Sequence, residues 1–248
     1  MKKIVAVLFL SSSLITFAQG PIIEGTYLPV RGTSIKQVWD VIPNSLAIPD
    51  TGANKYWDYS TQFVNQSDTF QIKTFHPDST SIRFRQYYPT ATHASFIRTP
   101  LANDPTDSLY AYFVVDTNGL HLLGGFNIKT MFDSTAIITP PGELLIPFIY
   151  TMNSTISDTS KYTFYADNYN GYAAKIKGTK VHYMEGVGYG TLKLPYATFS
   201  DVLLAKQEVN TVDSIFVDFA NNGNYTFFGS PQISKYFEYS FIRNNTFG

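Results

Sequence analysis

Short aromatic runs, each broken after a few residues by Gly, Pro, Asn or Asp, follow one another along almost the whole of this 248-residue chain and leave its backbone little choice. Runs of about 5 to 10 residues whose apolar positions recur every second residue suit a pleated strand, and no sustained stripe at helical spacing replaces them. Three Asn-Gly pairs supply the positive φ angles that tight hairpin turns demand. The first, in Asp116-Thr117-Asn118-Gly119, joins Leu109–Val115 to Leu120–Phe126. Asn170-Gly171 joins Tyr162–Ala166 to the run from Tyr172, and Asn222-Gly223 joins Ser214–Phe219 to Tyr225–Phe228. The 18 Tyr and 20 Phe fit the same reading, because aromatic rings favour strands.

Two runs separate their faces cleanly. Ile215, Val217 and Phe219 point one way and Ser214, Phe216 and Asp218 the other; Phe237, Tyr239 and Phe241 oppose Tyr236, Glu238 and Ser240. One apolar and one mixed face is the pattern of an antiparallel sheet covering a core on one side and meeting water on the other. The expected fold class is therefore all-β: an antiparallel sandwich or incompletely closed barrel with an irregular N-terminal arm. Pro147, inside the apolar run Leu144–Tyr150, assigns that run to an edge or a bulge.

Residues 1–18 have another character. A basic start at Lys2 and Lys3, an apolar run from Ile4 to Phe17 and small residues at Thr16 and Ala18 read as an export signal. Residues 19–60, with Pro21, Pro29, Pro43 and Pro49 and with both tryptophans, Trp39 and Trp57, read as an irregular arm packed on a single β domain at 61–248. The expected location is periplasmic, cell-surface or extracellular.

The absence of cysteine excludes disulfides, thiolate metal sites, cysteine nucleophiles and a lipid-anchored cysteine, so stability rests on the core. A chain of this size can bury about 70% of its unfolded surface, which suffices without staples. After the signal, no apolar run approaches the roughly 20 residues of a spanning helix. Cleavage after Ala18 removes two of 18 basic residues and leaves 16 against 19 acids. Such a balance lacks the basic footprint of a nucleic-acid binder. Local density occurs only at Arg83-Phe84-Arg85 and in Lys175-Ile176-Lys177-Gly178-Thr179-Lys180, where alternate side chains share a face.

No catalytic centre, metal site or cofactor motif emerges. His76, His93, His121 and His182 form no His-x-His or His-x-x-x-His pair, and no Gly-x-Ser-x-Gly elbow is present. Gly186-Val187-Gly188-Tyr189-Gly190 lacks the strand-to-helix context of a phosphate loop and reads as a hairpin bend. The oxygen-rich loops at Asp116–Gly119 and Asp167–Gly171 read as Asx turns. Glu143, Glu185, Glu208 and Glu238 lie in or beside strands, with nothing in the sequence to pair them for glycoside hydrolysis. Aromatic rings that flank turns can stack on sugars, which makes Trp57, Tyr59, Tyr87, Tyr88, Tyr169 and Tyr172 the candidate platform. The expected function is an exported, non-enzymatic module binding a glycan or protein partner. The alternatives are a secreted hydrolase of polysaccharides or esters and a lipid- or lipoprotein-handling envelope protein.

Three stretches carry a family resemblance. Gly52-Ala53-Asn54-Lys55-Tyr56-Trp57-Asp58-Tyr59-Ser60 is one, and Leu145–Tyr150 followed by Ser157-Asp158-Thr159 is another. The longest runs from Gly186-Val187-Gly188-Tyr189-Gly190-Thr191-Leu192 through Leu194-Pro195 and Thr198-Phe199 to Val202-Leu203-Leu204-Ala205-Lys206. Together they resemble exported, mostly uncharacterised proteins of Bacteroidota whose longer members often end in a type IX secretion sorting domain. Leu204-Ala205 stands where Arg-Val is usual in that family. The sequence stops at Gly248 without such a domain, which implies periplasmic retention or a clipped end. The resemblance implies no activity and no site residues.

Overall fold

The structure is a computed structural model that describes residues 20–24, 32, 34–38, 47–61, 69–80, 85–98, 108–128, 134–169 and 171–244. The signal at 1–18 and Trp39 lie outside the described residues. Strands β1 (Ser34–Val38), β2 (Gly52–Asp58), β3 (Thr69–Phe75), β4 (His93–Arg98), β5 (Ser108–Val115) and β6 (Gly119–Ile128) precede β7 (Ser134–Ile138) and β8 (Glu143–Pro147). Four long strands follow: β9 (Thr155–Tyr169), β10 (Tyr172–Lys193), β11 (Thr198–Asp218) and β12 (Thr226–Ile242). Hydrogen bonds join them in one sheet of order β1-β3-β4-β5-β6-β7-β9-β10-β11-β12, with β8 also on β6 and β2 also on β10. The protein is all-β and, apart from the parallel β2–β10 pair, antiparallel; the sheet stays open rather than closing into a barrel. Among the described residues no helix is long and apolar enough to cross a membrane.

The hairpins form where the Asn-Gly pairs indicate. Between β5 and β6 the Asp116 carboxylate accepts the backbone N–H groups of Asn118 and Gly119 at 2.7 and 3.1 Å. Between β11 and β12 Asp218 accepts those of Asn222 and Gly223 at 3.2 and 2.6 Å. That duty buries Asp218, which the alternation had assigned to the mixed face. The arm at 19–60 contributes two strands of its own, β1 on β3 and β2 on β10, and its Ile23 bridges to Tyr150.

The Gly186–Gly190 segment is not a hairpin bend. It lies inside the 22-residue β10, whose partner on one edge changes there from β9, paired through Glu185, to β2, paired from Gly188. The glycines serve close approach: a Cβ on Gly188 would lie 2.8 Å from the carbonyl oxygen of Gly52, and one on Gly190 would overlap that of Lys55. The turn itself comes later, where Leu194 N–H donates to the Ala197 carbonyl at 2.8 Å before β11 returns.

Both faces of the sheet are covered around Val202–Ala205, which explains four successive buried residues. Leu203 and Ala205 pack with Ile23, Tyr150 and Ile242, whereas Val202 and Leu204 pack with Trp57 and Leu192 on the opposite side. The Val, Leu and Ile side chains among them each contribute about 1.5–3 kcal/mol on burial. A third cluster, Tyr88, Ala94, Tyr112, Leu123 and Phe126, stabilises β4 to β6. Tyr88 stacks on Tyr112 at 4.3 Å between ring centroids and donates its hydroxyl to the carbonyls of Gly125 and Ala136.

Candidate functional site: an outward face of rings and lysines

Directly opposed residues of neighbouring strands share a face, so register alone assembles the outer surface of β9 to β12. One row reads Tyr165, Lys175, Phe216, Phe227; others read Lys161, Thr179, Val212, Ile233 and Thr159, Val181, Asn210, Lys235; a fourth reads Ser157, Tyr183, Glu208, Phe237. No residue in these rows is buried. The intervening positions face inward, where Ala174, Ser160, His182, Met184, Val209 and Thr211 are covered. From Lys175 to Glu185 the face is about 33 Å long, and its four strands make it about 15 Å wide.

Its apolar side chains are unusually open. Ile233 is 79% exposed, Phe237 51%, Tyr183 47% and Phe227 45%. Ammonium groups stand over the rings: Lys175 lies 4.2 Å from the Tyr225 centroid, Lys177 5.7 Å from Phe216, and Lys206 and Lys235 5.0 and 5.6 Å from Phe237. Lys235 also donates to Glu208 at 2.6 Å, and the hydrogen bonds from Lys235 and Asn210 hold the Glu208 carboxyl below the usual carboxylate range.

Of the six sequence candidates, the five whose side chains are described do not converge on one surface. Trp57 is buried, donates Nε1–H to the Asp50 carbonyl at 2.9 Å and packs edge-on against Phe241. Tyr59 is half-buried against the same Phe241. Tyr88 is buried in the β4–β6 cluster, with Tyr87 exposed beside it. Tyr172, exposed, packs on Phe219 at the tip of the β9–β10 hairpin, and the side chain of Tyr169 lies outside the described residues. Instead, the face uses Phe216, Phe227, Ile233, Phe237, Tyr183 and five lysines. Lys175 and Lys177 are legible from their alternation; Lys180, by the same parity, faces inward.

On the inward side, β8 is clamped to β9 and β10 by a polar cluster. Glu143 accepts from Lys180 Nζ at 2.6 Å, and Asp158 accepts the Leu144 backbone N–H at 3.0 Å. Between them His182, 1% exposed, holds Nε2 at 3.8 Å from Glu143 and 3.7 Å from Asp158, beyond hydrogen-bond reach. Burial pushes the imidazole below its ordinary value of 6.5, and Lys180 adds to this while Glu143 and Asp158 oppose it. The unfolded chain therefore takes up this proton first as pH falls, so the contribution is fully present above about 6.5 and declines from there towards the depressed value. We expect the urea midpoint to fall between about pH 7 and pH 5, and His182→Gln to flatten that stretch of the profile. An unchanged profile in the variant would remove His182 as its cause. Among the described residues no three His, Asp or Glu side chains stand where they could hold a metal ion.

Neither the family models, nor the curated proteins, nor the solved structures contain a match to this chain.

Proposed function

We propose that the protein is an exported, non-enzymatic envelope or cell-surface module that holds its partner on the outward face of β9 to β12. The observation that carries this reading is the run of open apolar side chains on a single unpaved sheet face, because contiguous exposed apolar surface of this kind marks interaction sites. The basic start and apolar run of residues 1–18, with the resemblance to exported Bacteroidota proteins, support delivery beyond the cytoplasm.

The test is co-sedimentation of the mature protein with envelopes of the producing cells. Tyr183→Ser, Ile233→Ser and Phe237→Ser combined are expected to reduce retention about tenfold or more, since a few large side chains, aromatic ones above all, carry much of the energy of such contacts. The three side chains pack little, so melting should stay within a few degrees of the parent. Retention equal to the parent's in a folded variant would refute the assignment of this face.

A further inference from the structure

We infer that the partner on this face is an acidic polysaccharide, an inference that rests on the face being the binding surface proposed above. The charges of the long strands are sorted by side. Among the described residues, outward stand Lys161, Lys175, Lys177, Lys206 and Lys235, against Glu185, Glu208 and, at the end of β11, the turn-capping Asp218, a surplus of two positive charges. Inward stand Asp158, Asp213 and the paired Lys180, with Glu238 on the same side of β12. The chain as a whole carries a formal charge of −1, so this surplus is a local property of one face.

The chemistry between the lysines narrows the anion. Thr155, Ser157, Thr159, Thr163, Thr179 and Asn210 interleave hydroxyl and amide groups with the rings, which suits a ligand made of hydroxyls and apolar ring faces. All five cations are lysines, point charges on flexible stems that follow spaced carboxylates or sulfates, whereas bidentate recognition of phosphate favours arginine. An open sheet about 33 Å long fits an extended polymer; small molecules prefer concave sites. A second copy stacked on the same face would oppose lysines with lysines.

The experiment is affinity electrophoresis of the mature chain through gels containing alginate, polygalacturonate or hyaluronan, beside gels with dextran, hydroxyethyl cellulose or single-stranded DNA. Retardation is expected in the acidic polysaccharides alone, weakening about tenfold between low and physiological salt as counterions compete. Lys175→Gln, Lys177→Gln, Lys206→Gln and Lys235→Gln combined should abolish it, and the matching four Lys→Arg changes should keep most of it, which separates lost charge from misfolding. Equal retardation by neutral glycans, tighter binding of DNA, or a dimer dissolved by Phe237→Ser would each overturn the inference. No retardation in any gel while envelopes still retain the protein through Phe237 would overturn the acidic ligand and leave the binding face standing. Loss of both dependences would remove both.

Discussion

Replacing Gly190 with alanine is expected to destabilise the protein by about 3 kcal/mol, at the upper end of what overpacking costs. The new Cβ would overlap the carbonyl oxygen of Lys55 and crowd its backbone nitrogen, neither of which can swing aside like a side chain. Relief requires β2 to move away from β10. Such a shift would draw Trp57 out of its cluster with Leu192, Val202 and Leu204, and strain the ion pair of Lys193 with Asp58 at 3.1 Å. Urea unfolding should show a lower midpoint at unchanged slope, with Trp57 emission already red-shifted in the native baseline. Gly171→Ala is the comparison: Gly171, unlike Gly190, has a positive φ, +91°, but open space where the Cβ would stand, so only the conformational cost of about 1–2 kcal/mol applies. Equal losses at the two positions would show that close approach of β2 is not what Gly190 provides.

Trp57→Ala should cost still more, about 3–5 kcal/mol, the range for deleting a buried aromatic side chain. The substitution empties the centre of one of three separate clusters, removes an edge-on ring contact at 5.0 Å with Phe241, and leaves the Asp50 carbonyl without its indole donor. Against a total stability of about 5–15 kcal/mol this is a large share, and it should appear as a drop in melting temperature of many degrees. Trp57→Phe, which keeps the ring and loses the N–H, should lose well under half as much. In the folded fraction at low temperature, Trp57→Ala should leave envelope retention unchanged, because the ring faces the interior and not the partner. Loss of retention without loss of stability would return Trp57 to the binding surface.

The contrast between those residues and Tyr183 or Phe237 shows what the sequence can and cannot reveal. Hairpins were readable because an Asn-Gly pair and an Asp carboxylate act within a few residues of chain, as at Asp116 and Asp218. Strand faces were readable from alternation wherever only one side is covered, as at Ile215 and Val217. They became ambiguous at Val202–Ala205, where long-range packing covers both sides, and at Phe237, whose alternation matches that of half-buried Phe241 a few residues later in the same strand. Which of two rings meets water depends on where β2 ends on β10, and that is set by glycines whose purpose is invisible until Lys55 lies beside them. The platform chosen from turn-flanking aromatics failed to assemble for the same reason: Trp57 and Tyr88 flank turns yet anchor different clusters. The lysine face needed the register of four strands, although the alternation of Lys175 and Lys177 already placed both on one face.

Hydroxyl-radical footprinting of the mature protein, with and without envelopes of the producing cells, tests the outward face most directly. Tyr183, Phe227 and Phe237 should be strongly oxidised in the free protein and protected when envelopes are added, while Met184 and Trp57 stay unreactive throughout. Tyr183 and Phe237 as unreactive as Met184 in the free protein, or equally oxidised with and without envelopes, would contradict it.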